Sequence, residues 1–253
     1  MDMPEPRPGP GEVLIEVRAS GICGTDVHVK NDRFPYWPPV ILGHEFSGTV
    51  IELGPECQYS KLGDRVVGEP HTRHCGQCFL CRTGNVQICP SKRSPGWGIH
   101  GSMAPLLVMP EKLLHRIPDA MDFDTAAVVE PTANAVHDVF ERAGVMPGDF
   151  VVVLGPGPIG LLAGLAARAA GARHVVLVGA PPDEGLRLDK ARELGFPTVL
   201  NVAKDNVPQT VADLTGGRGA DLVIECSGAP SAIAGTVDLV RKKGRICAIG
   251  LTG

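Results

Sequence analysis

Two short segments near the start of the chain carry the residue types of a catalytic metal site. Cys23 stands in the segment Gly21–His28, and His44 and Glu45 are neighbours a little further along. A thiolate, an imidazole and a carboxylate form the ligand set of catalytic zinc sites, which keep one position open for water or substrate. On these residues alone, a buried free cysteine and a hydrogen-bonded histidine are the simpler explanation. Two later motifs reverse that balance.

Four more cysteines are crowded into fifteen residues, at the spacing Cys75-x2-Cys78-x2-Cys81-x7-Cys89. Four thiolates complete a tetrahedral zinc shell and leave no open position, which is the arrangement of a structural site. Such a site would hold together a lobe at about residues 70–95 that has little apolar core of its own. Accidental clustering of free cysteines explains the spacing poorly in a chain with eight cysteines. Because four thiols are present, we do not expect the neighbouring His71 and His74 to bind the metal.

A zinc ribbon that binds nucleic acid is the rival interpretation of this lobe. Its basic residues are Arg73, Arg82, Lys92 and Arg93. The whole chain has a formal net charge of −4, however, and a general nucleic-acid binder is usually basic. We therefore expect no nucleic-acid partner.

Composition and patterning also restrict the compartment. Arg168 interrupts the best apolar stretch, 161–170, so no segment is long enough to span a bilayer. The Pro- and Glu-rich beginning differs from a secretory signal, which has a basic patch before an apolar core. Cysteines at short spacing suit a metal site in a reducing compartment better than a disulfide framework. We expect a cytoplasmic protein without a membrane partner.

The elements that must position these residues differ between the two halves. Residues 12–17, 48–53 and 64–67 are short β patterns between Gly and Pro turns, without a long helical period. We therefore expect a small β-rich domain over residues 1–120. A second domain is expected over residues 121–253.

The second half contains a phosphate-binding motif in its proper context. The apolar run Phe150–Leu154 predicts a strand buried on both faces, and a helix is predicted after the motif. The motif itself reads Gly155-Pro156-Gly157-Pro158-Ile159-Gly160. Gly155 permits the tight turn, Gly157 the close approach of a pyrophosphate, and Gly160 the packing of helix on strand. The helix N-terminus then offers free N–H groups to the phosphates. Strand before and helix after make a turn without a ligand the weaker alternative.

Residues 122–143 have helical character, and after the glycine motif the alternation of strand and helix continues, with a helix predicted over residues 184–194. Further strands are predicted at His174–Val178, Thr198–Asn201, Asp221–Cys226 and Gly244–Ile249. Five strands alternating with helices predict an α/β fold with a doubly wound parallel sheet of the Rossmann type.

One position departs from the dinucleotide fingerprint. An acidic residue usually follows the second strand and binds the adenosine ribose. Here Gly179 and Ala180 stand at that place, and Asp183 and Glu184 come slightly later. Arg187 could face a 2′-phosphate or be a solvated helix residue. The cofactor is therefore expected to be NAD or NADP, with a slight preference for NAD.

The order of these motifs is more specific than any of them alone. Cys-Gly-Thr-Asp-x-His at residues 23–28 is followed by Gly-His-Glu, the four-cysteine lobe, Glu130-Pro131 and the glycine motif. This order resembles the zinc-containing medium-chain dehydrogenase/reductase family over nearly the whole chain. The most similar branches are the sorbitol (L-iditol) and L-threonine 3-dehydrogenases. The resemblance implies a GroES-like catalytic domain with a structural zinc lobe, followed by a Rossmann domain.

The resemblance also implies a role for individual residues. The implied catalytic-zinc residues are Cys23, His44, Glu45 and Glu130, with either glutamate as the third ligand. The implied structural-zinc ligands are Cys75, Cys78, Cys81 and Cys89. Thr25 and His28 correspond to the proton relay, and Asp26 to the partner that orients His44. The cofactor contacts expected beside the nicotinamide are Ser227, Ile249, Gly250 and Leu251. The remaining expected cofactor contacts are Gly155, Gly157, Pro158, Ile159, Gly160 and Arg187.

The implied activity is oxidation of a secondary alcohol, with two zinc ions per chain and hydride transfer to NAD or NADP. A polyol such as sorbitol is the first expectation for the substrate. Residues 23–28 and 134–137 are similar to the L-threonine branch, whereas Glu130 is similar to the polyol branch. A non-catalytic zinc and nucleotide-binding protein would be expected to lack Cys23, His44 or the relay, and all are present.

The resemblance further implies that this 253-residue chain is shorter than complete relatives, which are expected to be homo-oligomers. A complete dinucleotide fold has six strands, and five are predicted here. The fifth, Arg245–Ile249, would then form an apolar exposed edge that favours aggregation. We expect both domains to lack pieces and the chain to be weakly soluble and poorly active.

Overall fold

The computed structural model describes residues 3–251, which form two compact units. The first unit ends at Glu130 and the second begins at Pro131. The boundary expected from the sequence, at residue 120, lies ten residues before this division. The intervening segment packs with the first unit because Val67, Ile117 and Ala126 share one small apolar cluster.

The first unit is built on an antiparallel sheet of five strands. The strands are β1 (Glu12–Ser20), β2 (Phe46–Leu53), β3 (Arg65–Gly68), β4 (Leu106–Pro110) and β5 (Leu114–Arg116), in the order β4-β1-β2-β3-β5. Val13 and Ile15 alternate along β1, so both side chains enter the same core with Phe46, Val50 and Met109. This β-rich unit is the one that the first half of the sequence predicts.

Short helices connect the strands of the first unit. They are α1 (Gly24–Lys30), α2 (Phe79–Arg82) and α3 (Phe123–Ala127), with 3₁₀ turns at Val86–Ile88 and Glu111–Leu113. Helix α4 (Val129–His137) begins at the end of this unit and continues into a π-helical turn, Asp138–Arg142. The helical segment predicted at 122–143 is thus divided into shorter helical pieces.

The second unit contains a parallel sheet of five strands. The strands are β6 (Phe150–Leu154), β7 (His174–Gly179), β8 (Thr198–Asn201), β9 (Ala220–Glu225) and β10 (Val240–Ala248). Their order is β10-β9-β6-β7-β8. Strands β6 and β9 are buried along their whole length, as expected for a sheet covered on both faces. The doubly wound arrangement predicted from the sequence is confirmed.

Ala135 of α4 and Val139 of the π-helical turn pack against this sheet, and four further helices of the described chain cover its two faces. They are α5 (Pro158–Ala169), α6 (Arg187–Glu193), α7 (Val207–Thr215) and α8 (Pro230–Leu239), with a 3₁₀ turn at Pro181–Asp183. The chain order reverses between β6 and β9, and ligands of such sheets bind at that reversal, outside the carboxyl ends of the strands.

Two local predictions differ from the structure. The helix expected from Glu184 begins three residues later, at Arg187, because the 3₁₀ turn and Gly185, with a φ of +79°, come first. Strand β10 begins at Val240 and is an edge of the described sheet, but only part of it is apolar. The polar part contains Lys242 and Lys243, which are exposed beside a register shift of the β9–β10 pairing. The apolar part contains Ile246, which is 44% exposed.

In the described range, no helix combines the length and apolarity that crossing a membrane requires.

Candidate active site and zinc centres

The start of α1 positions the first candidate ligand. Cys23 is the residue that precedes the helix, and its N–H donates to Asp26 Oδ2 at 2.9 Å. Asp26 occupies the third helical position, from which a carboxylate readily reaches back to the N-cap residue. Gly43 N–H donates to the other oxygen, Oδ1, at 3.0 Å. The buried carboxylate of Asp26 therefore connects the Cys23 segment to the His44 segment.

Glycines bring Glu45 and His44 close to their neighbours. A Cβ on Gly21 would lie 2.2 Å from Glu45 Oε2, so only glycine leaves room for that carboxylate. Gly21 N–H also donates to the Glu45 carbonyl at 2.8 Å. Gly43 has a φ of +96°, a left-handed conformation that favours glycine. Both glycines thus shape the backbone around the candidate ligands.

The structure brings Cys23, His44 and Glu45 together. One potential ligand atom from each residue lies within 4.8 Å of the other two. His44 is 8% exposed, and its buried Nδ1 has no hydrogen-bond partner among the described residues. Nδ1 lies 3.6 Å from Asp26 Oδ1, slightly beyond hydrogen-bond length. A soft sulfur, a nitrogen and a carboxylate oxygen at this separation fit a zinc ion.

Electrostatics around His44 also suit a cation. Burial lowers the pKa of His44, but Asp26 and Cys23 outweigh that effect and raise it to about 10. Burial raises the pKa of Asp26, but the imidazole of His44 and the N–H groups of Cys23 and Gly43 outweigh that effect and hold it below its usual value. A positive charge between these two acidic groups is therefore favoured. A bound zinc ion would displace the imidazole proton, as metal binding generally does.

Glu130 lies outside this group of three but acts on it through its charge. Burial raises the pKa of Glu45, and the negative charge of Glu130 adds to that rise. Glu130 also acts on the cation Lys92. Burial lowers the pKa of the Lys92 ammonium group, and the negative charge of Glu130 partly reverses that shift. Lys92 Nζ also lies 5.5 Å from the centre of the Trp97 ring. Glu130 is therefore electrostatically coupled to both the candidate ligand Glu45 and the half-buried Lys92.

Thr25 and His28 lie three residues apart on α1, which places them on one face of the helix. Both are half-buried. Asp26, between them in sequence, points to the interior, where it is 3% exposed. The helix therefore turns Thr25 and His28 away from the face that carries Asp26.

The four cysteines of the lobe form the second cluster, and their ligand atoms lie within 4.8 Å of one another. The Sγ atoms of Cys75 and Cys81 are 3.9 Å apart, those of Cys75 and Cys89 3.7 Å, and those of Cys78 and Cys89 4.0 Å. A zinc ion about 2.3 Å from four thiolates requires sulfurs about 3.8 Å apart, so the cluster fits tetrahedral zinc.

Local backbone groups prepare this lobe for a cation. The N–H groups of Gln77 and Cys78 lower the pKa of Cys75 to about 6, which favours the thiolate that binds metal. His74 Nδ1 lies 3.8 Å from Cys81 Sγ, as a neighbour of the cluster. The four cysteines are free, without disulfides, so all can act as ligands.

The glycine motif between β6 and α5 has the shape of a phosphate-binding turn. Gly155 has a φ of +94°, and a Cβ there would approach Ser227 N to 2.8 Å. A Cβ on Gly160 would lie 1.9 Å from the Gly155 carbonyl oxygen, so the helix packs closely on the strand. Gly157 precedes the first residue of α5, Pro158, and the space beside it is open. Ile159 lies in the first turn of the same helix.

A cavity of about 390 Å³ lies at the carboxyl edge of the second sheet, beside this turn. Gly155, Gly179, Asp183 and Ser227 are among its lining residues. A Cβ on Gly179 would lie 3.1 Å from Asp183 Oδ2 and 2.8 Å from Leu188 Cδ2. The Asp183 carboxylate therefore lies beside the end of β7, where the sequence itself has no acidic residue.

Hydrogen bonds hold Asp183 in this place. Ala180 N–H donates to Asp183 Oδ2 at 2.9 Å, and Arg187 Nη1 lies 2.9 Å from Oδ1. Asp183 is buried, whereas half of the Arg187 side chain remains exposed. Arg187, for which the sequence left a 2′-phosphate contact and a solvated position open, is therefore engaged in an ion pair with Asp183.

The two segments predicted to lie beside the nicotinamide follow β9 and β10. A Cβ on Gly250 would lie 2.2 Å from Gly228 N, so the two segments touch. Ser227 belongs to the first segment, while Ile249, Gly250 and Leu251 form the second. These four predicted residues are therefore neighbours in the second unit.

The sequence patterns do not predict the positions of three residues that lie in or near these sites. The sequence patterns identify Lys92 only as a basic residue of the lobe, Asp183 only as an acid a few residues after the second strand, and Glu225 only as part of a strand. A carboxylate at the end of an otherwise apolar strand, as in Glu225, was the one signal available. The placement of the other two depends on loops that carry no periodic pattern.

Comparison with known proteins identifies the class. Residues 9–119 match the alcohol dehydrogenase GroES-like domain, and residues 158–253 match the zinc-binding dehydrogenase domain. The chain belongs to the zinc-containing medium-chain dehydrogenase family. It is an α/β protein with a GroES-like and a Rossmann-type part, as the sequence predicts.

Particular relatives refine this comparison. A sorbitol dehydrogenase of Halalkalibacterium halodurans is 39% identical over 250 residues, which are 99% of this chain and 72% of the relative. An L-threonine 3-dehydrogenase of Shewanella putrefaciens is 36% identical over 259 residues, covering 100% of this chain and 74% of the relative. A solved structure of a zinc-binding dehydrogenase from Sinorhizobium meliloti 1021, bound to NADP, has a TM-score of 0.91 at 35% identity. It is covered over 71% of its length, and this chain over 97%.

Proposed function

We propose that this protein is a zinc-dependent oxidoreductase that oxidises a secondary alcohol, with a polyol such as sorbitol as substrate. The observation that carries this proposal is the approach of one potential ligand atom from each of Cys23, His44 and Glu45 to within 4.8 Å of the other two. When bound, zinc supplies Lewis-acid chemistry that favours ionisation of an alcohol, and the nicotinamide accepts a hydride.

The residues of this chain divide the remaining tasks. Cys23, His44 and Glu45 hold the metal, and Asp26 orients His44 through its buried carboxylate. Thr25 and His28 carry the hydroxyl proton away from the substrate, a role that a hydroxyl and an imidazole on one helix face can share. Burial raises the pKa of Glu45, and the negative charge of Glu130 adds to that rise, so Glu130 acts on the metal site through Glu45.

For the cofactor we propose NAD in preference to NADP. Asp183 places a carboxylate beside Gly179 in the cavity at the carboxyl edge of the sheet. A carboxylate there accepts hydrogen bonds from ribose hydroxyls and repels a 2′-phosphate. Arg187 neutralises part of that charge, which reduces the discrimination but leaves its direction unchanged.

L-Threonine is a second candidate substrate, and Lys92 favours it. Its ammonium group is half-buried and electrostatically coupled to Glu130, which itself acts on Glu45. A cation in this position could pair with a substrate carboxylate, which a polyol lacks. Lys92→Met would then raise KM for threonine and leave KM for sorbitol nearly unchanged.

The proposal is tested by measuring reduced-nicotinamide absorbance with polyols, L-threonine and simple primary alcohols, each with NAD and NADP. Turnover of a polyol that requires zinc supports the first candidate, and turnover of threonine alone supports the second. The metal-depleted protein, reloaded with zinc, is the matched control. Absence of turnover for every pair, in a folded protein with full zinc content, would refute an oxidoreductase role.

A further inference from the structure

Glu225 is a fully buried carboxylate at the end of β9, where its residue is 0% exposed. A buried carboxylate is unfavourable unless hydrogen bonds compensate for the lost water. Within residues 3–251, no ion pair joins it to a basic side chain, so its compensation comes from other donors. Those donors belong to the loop that follows β9.

The side chain of Glu225 binds this loop directly. Ser227 N–H donates to Oε1 at 2.7 Å, and Gly228 N–H lies 3.1 Å from both oxygens. The Ser227 hydroxyl donates to the same Oε1. One carboxylate thus receives three donors within three residues of its own backbone, which fixes the path of the loop.

The backbone of Glu225 binds the second loop. Its carbonyl oxygen accepts the N–H groups of Ile249 at 2.8 Å and Gly250 at 3.0 Å. A Cβ on Gly250 would also lie only 2.7 Å from Glu225 Oε2, so this loop passes close to the carboxylate. We call these contacts of Glu225, to residues 227–228 and 249–250, the two-loop clamp.

The clamp also reaches the phosphate-binding turn. Gly155 follows β6, and a Cβ there would lie 2.8 Å from Ser227 N and 2.9 Å from Ser227 Cα. Moving the loop at Ser227 would therefore change the space available to Gly155. The segments that follow β6, β9 and β10 therefore meet in one contact region at the carboxyl edge of the sheet. A shift in the position of one segment would displace the other two.

We infer that Glu225 is a positioning residue for the dinucleotide: it holds the two loops in the conformation that binds the nicotinamide half. This inference rests on the nucleotide role given under the proposed function. Glu225 does not face the cavity at the sheet edge, so it acts through Ser227 and the residues after β10. Its loss should weaken cofactor binding through loop disorder and leave the candidate zinc residues of the first unit intact.

Glu225→Gln and Asp221→Asn form a matched pair for the test. Both residues are buried acids of β9, but Asp221 lies at the start of the strand, where it accepts Phe150 N–H and pairs with Arg241. In Glu225→Gln, the new amide group places donors against the N–H groups of the loop. Binding of NADH and NADPH is measured by fluorescence titration, and folding by thermal melting of each variant.

We expect both variants to melt at lower temperature, but only Glu225→Gln to bind the dinucleotide about tenfold or more weakly. KM for the cofactor should rise in that variant while KM for the alcohol changes little. Unchanged cofactor binding in folded Glu225→Gln would overturn the inference. An equal loss of binding in Asp221→Asn would overturn it as well, because destabilisation alone would then explain the effect.

Hydrogen exchange of the wild-type chain keeps the inference testable if Glu225→Gln does not fold. The amides of Gly228, Ile249 and Gly250 should exchange slowly in the free protein, because each donates to Glu225. Exchange as fast as that of exposed turns would show that the clamp does not exist. If the wild type binds neither NADH nor NADPH, the proposed function fails, and the exchange rates still decide whether the clamp is formed.

Discussion

Asp26 connects the two segments that supply the candidate catalytic zinc ligands. Its carboxylate accepts the N–H groups of Cys23 and Gly43 and lies 3.6 Å from His44 Nδ1. Because these contacts preorganise Cys23 and His44, removing a ligand and removing Asp26 should have different consequences. Loss of a ligand empties the site, whereas loss of the orienting carboxylate weakens it by about 10- to 100-fold in metal affinity.

We expect Cys23→Ser and His44→Ala to abolish turnover and to remove one of the two expected zinc ions. The fold and the lobe zinc should remain, since the four lobe cysteines form a separate cluster. Zinc content by atomic emission, together with circular dichroism, checks this outcome. Cys57→Ser is the control, because Cys57 donates to the Glu12 carbonyl and belongs to neither metal cluster. Turnover at the wild-type rate in either ligand variant would contradict the assignment.

Asp183→Asn should shift cofactor preference toward NADP. The change removes the negative charge beside Gly179 and releases Arg187 to face a 2′-phosphate. The ratio of kcat/KM for NADP to that for NAD should increase about tenfold, the equivalent of one charged hydrogen bond. Arg187→Ala is the reciprocal variant and should lower the same ratio. If Asp183→Asn leaves the ratio unchanged, the carboxylate has no part in discrimination.

Among the elements, the cysteine lobe depends most on its metal. Helix α2 has four residues, none of them buried, and Phe79 is 71% exposed. So short and exposed an element cannot be stable through its own apolar contacts. A zinc ion that joins the start of α2 to the segment ending at Cys89 would supply the missing stability.

Cys81→Ser should therefore lower the zinc content by one ion per chain and the stability of the first unit by at least about 2 kcal/mol. Thermal melting and metal analysis check both effects. His74→Ala is the matched control, since His74 contacts Cys81 but is outside the group of four. An unchanged melting curve with unchanged zinc in Cys81→Ser would refute a structural site.

Strand β9 has a pH-sensitive contact at its start. Burial raises the pKa of Asp221, but the Phe150 N–H and the guanidinium groups of Arg241 and Arg218 outweigh it and lower the pKa below 3.8. A depressed pKa contributes stability above pH 3.8, and that contribution is lost as the pH falls through the folded-state pKa. Urea unfolding between pH 3 and pH 7 should therefore show a steeper loss on acidification in wild type than in Asp221→Asn. Equal slopes would contradict this account.

At the scale of the whole molecule, the two compact units have separate cores and separate expected ligands. The first core contains Phe46 and Met109, whereas the second unit has two apolar clusters, one with Phe150 and the other with Leu177. Both cysteine-containing clusters belong to the first unit, and the glycine motif belongs to the second. A ligand stabilises only the part of a protein that binds it in the folded state.

A chelator should accordingly destabilise the first unit, and NADH or NADPH should stabilise the second. With the dinucleotide at about one hundred times its Kd, the second unit should gain about 2.7 kcal/mol. Hydrogen exchange resolved along the chain, with each addition made separately, measures both responses. Protection by the dinucleotide confined to residues 12–116 would show that the units have been assigned the wrong ligands.

The sequence alone determined the features whose physical cause is local. Cys75, Cys78, Cys81 and Cys89 lie within fifteen residues, so their spacing was sufficient to predict a metal cluster. The run Phe150–Leu154 before the glycine motif identified a buried strand and its turn, because the apolar run and the glycine spacing both lie in consecutive residues. The α/β class followed from the same local patterns, and the family followed from the resemblance of the motif order.

The tertiary structure alone decided contacts between residues distant in sequence. Gly21 accommodates the Glu45 carboxylate, and Lys92 is coupled to Glu130, although no sequence period relates either pair. Asp183 supplies the missing strand-end carboxylate because a 3₁₀ turn carries it back to Gly179. Glu225 joins loops that follow two different strands because parallel pairing places those strand ends side by side. Chain folding, and not spacing along the chain, sets these distances.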